Sequence, residues 1–250
     1  MAKSINSTPL VSVVVITYNS SKYVLKTLES IKNQTYANIE LVISDDCSTD
    51  DTLKKVQDFV MNHPKGDKVT LITNNERCGA MKNLYDMIHS CDDDEIVLTL
   101  DGDDQLAHSS VIQRVSNEYD SGEVWMTWGS YVDHPNNTRG CSKPVPEHVI
   151  KNNSFRRHSW CFSHLRTFKA GIFKKLPESD FKHNGEYLMA AWDLPIMFGI
   201  AELSGDRIRY IHDILYLYNN LNPIQDYKVR LKEQQSLEMV VRNRKPHNKI

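Results

Sequence analysis

Glu95 to Gln105 reads EIVLTLDGDDQ. Ile96 to Leu100 is a β-branched and aliphatic run of the length of a fully buried strand, and it stops abruptly at Asp101, Gly102, Asp103 and Asp104. The carboxylates therefore stand at a strand's carboxyl end. Acids crowded onto one turn raise each other's pKa, so a fold holds them most readily where a cation or hydrogen-bond donors neutralise them. Oxygen ligands suit the hard ions Mg2+ and Mn2+, and Gly102 lets the backbone turn tightly and approach a ligand. Read alone, the same residues fit a polar turn capping the next helix. The flanking chain decides between the two.

Upstream, Leu10 to Thr17 (LVSVVVIT) has no helical period and predicts a central strand ending at Tyr18-Asn19-Ser20. Val24, Leu25, Leu28 and Ile31 then recur at helical spacing, with Ser20 or Ser21 as N-cap. Ile39 to Ser44 repeats the pattern, ending in Asp45 and Asp46. Thr52 to Met61 places Leu53, Val56, Phe59 and Val60 on one helical face. Val69 to Thr73 is a third strand, Asn74 to Gly79 a polar turn, and Met81, Leu84, Tyr85 and Ile88 mark a third helix. Strands alternating with helices predict a parallel α/β sheet, and ligands bind outside the carboxyl ends of such strands. Tyr18, Asp46, Arg77 and the Asp101 to Asp104 turn would then share one rim, which favours the metal reading.

Downstream the alternation loosens. Ser109 to Tyr119 predicts a helix, Val124 to Trp128 a strand, and Asp133 to Pro146 a loop. Ser159 to Phe173 and Leu188 to Leu203 read as helical. Ile208 to Tyr218 reads as one or two strands with a turn at His212-Asp213, and the chain from Ile224 as polar helix ending in a solvated basic tail.

At 250 residues, 40% hydrophobic and 25% charged, the chain has the make-up of a globular protein with a sizeable core, and a net charge of −2 gives no reason to expect nucleic acid as partner. Five cysteines without CxxC pairing predict reduced structural thiols. MAKSINSTPL carries no hydrophobic signal region, and no apolar run approaches the roughly 18 residues that span a bilayer, so a cytoplasmic location is expected.

The chain also resembles a known family. VSVVVITYNSSKYVLKTLESIKNQTYANIELVISDDCSTDDT (11–52), NNERCGAMKN (74–83) and LTLDGDD (98–104) resemble, in order and spacing, the family 2 inverting glycosyltransferases of GT-A fold. HLRTFKAGIF, AAWDLPIM and LYLYNNLNP resemble acceptor-side segments of some members more loosely. The resemblance implies a single GT-A domain over residues 1–250: a Rossmann-like, mostly parallel sheet flanked by helices, with a nucleotide-sugar-binding half (1–105) and an acceptor-binding half with a C-terminal helix (106–250). It further implies that Thr17 and Tyr18 line the nucleotide pocket and that Asp46 accepts a hydrogen bond from the base, uracil in many relatives. Asp101 and Asp103 would be the DxD pair holding Mn2+ or Mg2+, with Asp101 also contacting the donor and Asp104 an alternate ligand. Lys82 would offer the donor a cationic contact, and Asp193 would be the catalytic base. The implied partners are a nucleotide sugar, UDP-linked in many relatives, and a glycan or glycoconjugate acceptor.

Structural readings stand beside these. Asp193 fits a first-turn helix acid and Asp46 a helix cap. His158, Cys161 and His164 invite zinc but lack a fourth ligand of suitable spacing. His212 could join the metal shell or be a turn histidine. Trp125, Trp128, Trp160 and Trp192 fit a sugar platform or the core. Competing functions are a sugar nucleotidyltransferase, which usually carries a glycine-rich loop where this chain has TYNSSKY, and a catalytically silent carbohydrate-binding protein of the same fold.

Overall fold

β-branched runs and amphipathic helices alternate through the first hundred residues, and the chain folds accordingly. The computed structural model describes residues 8–63 and 66–250; the MAKSINS segment, read above for a signal region, lies outside them. The elements are β1 (Val11–Thr17), α1 (Val24–Lys32), β2 (Ile39–Asp45), α2 (Thr52–Met61), β3 (Val69–Thr73), α3 (Ala80–Ser90) and β4 (Ile96–Asp101). There follow β5 (Gln105–Leu106), α4 (Val111–Tyr119), β6 (Met126–His134), β7 (Thr138–Arg139), α5 (Glu147–Lys151), β8 (Arg166–Lys169), α6 (Ala170–Phe173), β9 (Lys182–His183) and β10 (Glu186–Tyr187). The chain closes with α7 (Asp193–Ser204), β11 (Ile208–Asn219), α8 (Asp226–Val229) and α9 (Leu231–Arg242).

One sheet runs β3-β2-β1-β4-β8-β6-β11-β5, with β7 on β6. β1, β2, β3 and β4 are mutually parallel where they pair, with Val11 level with Ile39 on one side and Ile96 on the other. β8 inserts antiparallel between β4 and β6, and β6 and β11 are parallel. The strand order reverses at β1 and β4, and a crevice opens outside the carboxyl ends of strands at such a switch.

Alternate side chains of the strands feed two cores. Val13, Val15, Ile43 and Leu98 pack with Leu28, Val56 and Ile112 of α1, α2 and α4. Val14, Val42, Val97 and Phe168 pack on the other face with Leu84, Phe173 and Met197 of α3, α6 and α7. α7 is buried on nearly all sides, as its run LPIMFGIAEL dictates.

The looser downstream half departs from the sequence reading. Ser159 to Phe173 is not one helix: it holds irregular chain, β8 and the single turn α6, because Arg166, Thr167 and Phe168 complete ladders on both sides. Leu188 to Trp192 precede α7 instead of opening it. β6 continues to His134 and folds back through β7, so the start of the expected loop is a hairpin. β11 is one strand whose register slips between Tyr210 and Ile214, a bulge where the sequence suggested a turn. α1 begins at Val24 with no side-chain cap, so neither Ser20 nor Ser21 caps it, although the Ser20 carbonyl receives the N–H groups of Tyr23 and Val24.

The basic tail is packed against the domain. Arg244 donates to the carbonyls of Asp180 and Lys182, and the Ile250 N–H reaches the Leu203 carbonyl. Behind it, Arg156 and Glu202, 3% and 0% exposed, form a two-pronged buried ion pair at 2.6 and 2.8 Å. Among the described residues the five cysteines are free, and no helix is long and apolar enough to cross a membrane.

Candidate active site

A cleft of about 280 Å³ opens where β1 and β4 end. It is lined by Tyr18, Asp46, Arg77 and Gly79, by Asp101 to Asp104, by His164, Arg166, Trp192 and Asp193, and by Asn222 and Ile224 to Tyr227.

Asp46 follows β2 and is 2% exposed. It does not cap α2, which starts at Thr52 beside Asp50. Its Oδ1 accepts from Cys78 N (2.8 Å), Asn83 Nδ2 (2.9 Å) and Asn74 Nδ2 (3.0 Å), and its Oδ2 from Gly79 N (2.9 Å). One carboxylate thus shapes the 74–79 turn, and that turn delivers Arg77. The guanidinium lies 3.9 Å from the Tyr18 ring centroid and 3.9 Å from Asp46 Oδ2. Lys82 does not line the cleft: its ammonium pairs with Asp86 on the outer face of α3. Thr17 sits beneath the lining, its Oγ1 buried without a partner among the described residues. Arg77, expected on the rim from its place in a polar turn at a strand end but given no role, lines the cleft.

Gly102 is needed for close approach. Its N–H donates to the Ile16 carbonyl, and a Cβ there would lie 2.7 Å from that oxygen and 2.7 Å from Thr17 Cβ. From the other side Thr27 Oγ1 donates to the Gly102 carbonyl. The acidic turn is therefore fastened to β1 and α1, and its carboxylates are displayed from a fixed base.

Among them Asp104 points into the protein, where Asp104 Oδ2 accepts from the Tyr216 hydroxyl (2.5 Å) and Oδ1 from Asn219 N (2.6 Å). Asp103 Oδ2 accepts from Asn222 Nδ2 (2.6 Å). Burial pushes Asp101 up to about 7, opposed by Arg166 and reinforced by Asp103 and Asp193. Burial likewise raises Asp103, and burial with the Asp103 and Asp101 charges raises Asp104. Such a set is relieved by a cation. Single ligand atoms of Asp101, Asp104 and His164 lie within 4.8 Å of one another; Asp103, expected to pair with Asp101, is not in that set, its Oδ2 being turned to Asn222. His164 stacks on Tyr216 with centroids 4.3 Å apart, and burial beside Arg166 depresses its pKa, leaving the imidazole neutral and able to ligate. A divalent cation fits these donors. His158 and Cys161 are not part of this group, and His212, exposed on the β11 bulge, is outside the cleft lining.

Asp193 is the first residue of α7, so the helix-acid reading holds for its position, and its side chain also faces the cleft. Arg166 Nη2 donates to Asp193 Oδ2 at 2.8 Å. Arg166 was quoted within HLRTFKAGIF but given no role; a lone arginine in an apolar strand was the available signal. Of the tryptophans, Trp192 lines the cleft, whereas Trp128 is core.

Comparison with known proteins places this geometry in context. A model of "Glycosyl transferase family 2" matches residues 12–177. Glycosyltransferase GlyG of Streptococcus pneumoniae is 28% identical over 221 residues, covering 84% of this chain and 70% of that protein. Matches to three further curated relatives span 8%, 37% and 34% of those proteins' lengths. Among solved structures, S. aureus TarS 1-349 in complex with UDP-GlcNAc has a TM-score of 0.62 at 20% identity, covering 85% of this chain and 59% of that one. The mannosyltransferase PcManGT from Pyrobaculum calidifontis, in complex with GDP-Man and Mn2+, has a TM-score of 0.62 at 20% identity, covering 98% of this chain and 68% of that one. The fold is that of GT-A glycosyltransferases.

Proposed function

This chain belongs to glycosyl transferase family 2, and from that premise we propose that it is a metal-dependent inverting enzyme moving a sugar from a UDP-linked donor to a hydroxyl of a glycan or glycoconjugate, acting in the cytoplasm. One observation carries the reading: the Asp101 to Asp104 turn, Asp193, Tyr18, Asp46 and Arg77 line one and the same cleft.

In this reading Tyr18 offers the nucleoside base an aromatic face, and Asp46 Oδ2, which receives one backbone N–H, keeps a lone pair for a base N–H. Arg77 meets the negative diphosphate in place of Lys82. Asp101, Asp104 and His164 would hold Mn2+ or Mg2+, with Asp103 as a further donor from the same turn. The bound cation supplies Lewis-acid stabilisation of the charge that builds on the departing diphosphate. Asp193 accepts the proton of the acceptor hydroxyl as its oxygen bonds to the anomeric carbon and the bond from that carbon to the diphosphate oxygen breaks, the electron pair leaving with the diphosphate. Attack from the face opposite the leaving group inverts the centre. Free cysteines fit a reducing compartment.

The test is a panel of UDP-Glc, UDP-GlcNAc and GDP-Man incubated with the protein and Mn2+, with and without chelator, reading released nucleoside diphosphate. Chelator-sensitive UDP release is expected. No release, together with no rise in melting temperature on adding UDP and Mn2+, would refute the proposal.

A further inference from the structure

We propose that Arg166 is the positioning residue of the transfer step, holding Asp193 so that one carboxylate oxygen is fixed and the other faces the acceptor; this rests on the glycosyltransferase reading above. Arg166 stands on β8, in the middle of the sheet, level with Thr99 of β4 and Trp128 of β6. Its side chain is 6% exposed, and a buried guanidinium is tolerated only when paired.

The pairing is specific. Arg166 Nη2 donates to Asp193 Oδ2 at 2.8 Å, Nε donates to the Phe162 carbonyl at 3.3 Å, and the guanidinium lies 5.2 Å from the Trp192 ring centroid. Arg166 therefore grips both Trp192 and Asp193. Among the described residues no other cation is ion-paired with Asp193, and its Oδ1 accepts no hydrogen bond.

The segment so gripped needs holding. Ala191, 4% exposed, has φ of +54°, a left-handed conformation that an L side chain keeps only where its surroundings over-determine it. From that bend the chain enters α7, the Leu194 N–H bonding to the Ala191 carbonyl, and Asp193 is displayed at the helix start. Without the guanidinium, Trp192 and Asp193 lose the contacts that oppose relaxation of Ala191, and the carboxylate swings. A lysine preserves the charge but cannot fork to Asp193 and Phe162 while lying over Trp192.

Arg166 thus acts through Asp193, not on the donor, and a double-mutant cycle reads this directly. UDP release from the donor selected by the panel is measured for wild type, Arg166→Lys, Arg166→Ala, Asp193→Asn and Arg166→Ala/Asp193→Asn, alongside the rise in melting temperature given by UDP and Mn2+. We expect Arg166→Ala to lower kcat on the order of 100-fold with donor KM within about twofold, Arg166→Lys to recover only part, and Arg166→Ala to cost nothing further in the Asp193→Asn background. A multiplicative double mutant, a raised donor KM, or loss of the UDP and Mn2+ stabilisation would overturn the assignment, the last two by showing that Arg166 acts on the donor and metal site, where its charge also bears on Asp101 and His164. Wild-type turnover in Asp193→Asn would remove the base assignment itself, a separate failure.

Discussion

Replacing Asp46 with asparagine keeps the shape of the side chain and removes its charge, so the cost can be worked from its four donors. The amide oxygen can keep the Oδ1 place, with Cys78 N, Asn83 Nδ2 and Asn74 Nδ2 around it; the amide nitrogen then faces the Gly79 N–H, formerly bonded at 2.9 Å. A buried N–H left without an acceptor costs about 1–3 kcal/mol. The three surviving bonds fall from charge-assisted to neutral strength, roughly 1 kcal/mol each. The sum is about 4–6 kcal/mol, and at roughly 2–4 °C per kcal/mol for a chain of this size the melting temperature should fall by roughly 8–24 °C. Thermal unfolding followed by circular dichroism, without ligand, gives the number. A shift within about 2 °C of wild type, with UDP binding lost, would refute the argument and make Asp46 a donor-binding residue alone.

Glu202→Gln should cost about 3–5 kcal/mol in urea unfolding because Arg156 is left buried without its anion, while Arg156→Met/Glu202→Leu should recover most of that loss. Gly102→Ala should cost about 1–3 kcal/mol, since its Cβ would meet the β1 backbone, and should lower the UDP-free melting temperature. Arg77→Ala should raise donor KM by about tenfold, the order of one charge-assisted contact, with kcat little changed in the UDP-release assay. Asp101 in the metal-free protein sits at about 7, above its unfolded value, so the folded state retains a proton that the unfolded chain gives up. That stability is present at low pH and is lost as pH rises through about 7; scanning calorimetry at pH 5.5 and 8 should show the loss without metal and its suppression by Mn2+.

Legibility in the sequence followed the locality of the cause. β1 to β4 and their helices came from runs and periods written in consecutive residues, and the strand-end rule then gathered Tyr18, Asp46 and Asp101 without any coordinates. Arg166 and β8 were hidden because RTFK is four residues long and owes its strand to two neighbours distant in sequence. Lys82 and Arg77 are five positions apart in one motif, and only the hub at Asp46 decides which of them turns inward. The β11 bulge looked like a turn because His212 and Asp213 are polar and exposed, while the ladder resumes at Ile214.

β8 also has a consequence for synthesis on the ribosome. The edge of β4 that carries Val97, Leu98 and Thr99 is closed by a strand that begins 65 residues after β4 ends. At roughly 5–20 residues per second the nascent chain would carry that apolar edge unpaired for roughly 3–13 s. Such an edge is a template for pairing with other chains. Slower translation between Asp101 and Arg166 would lengthen the exposure.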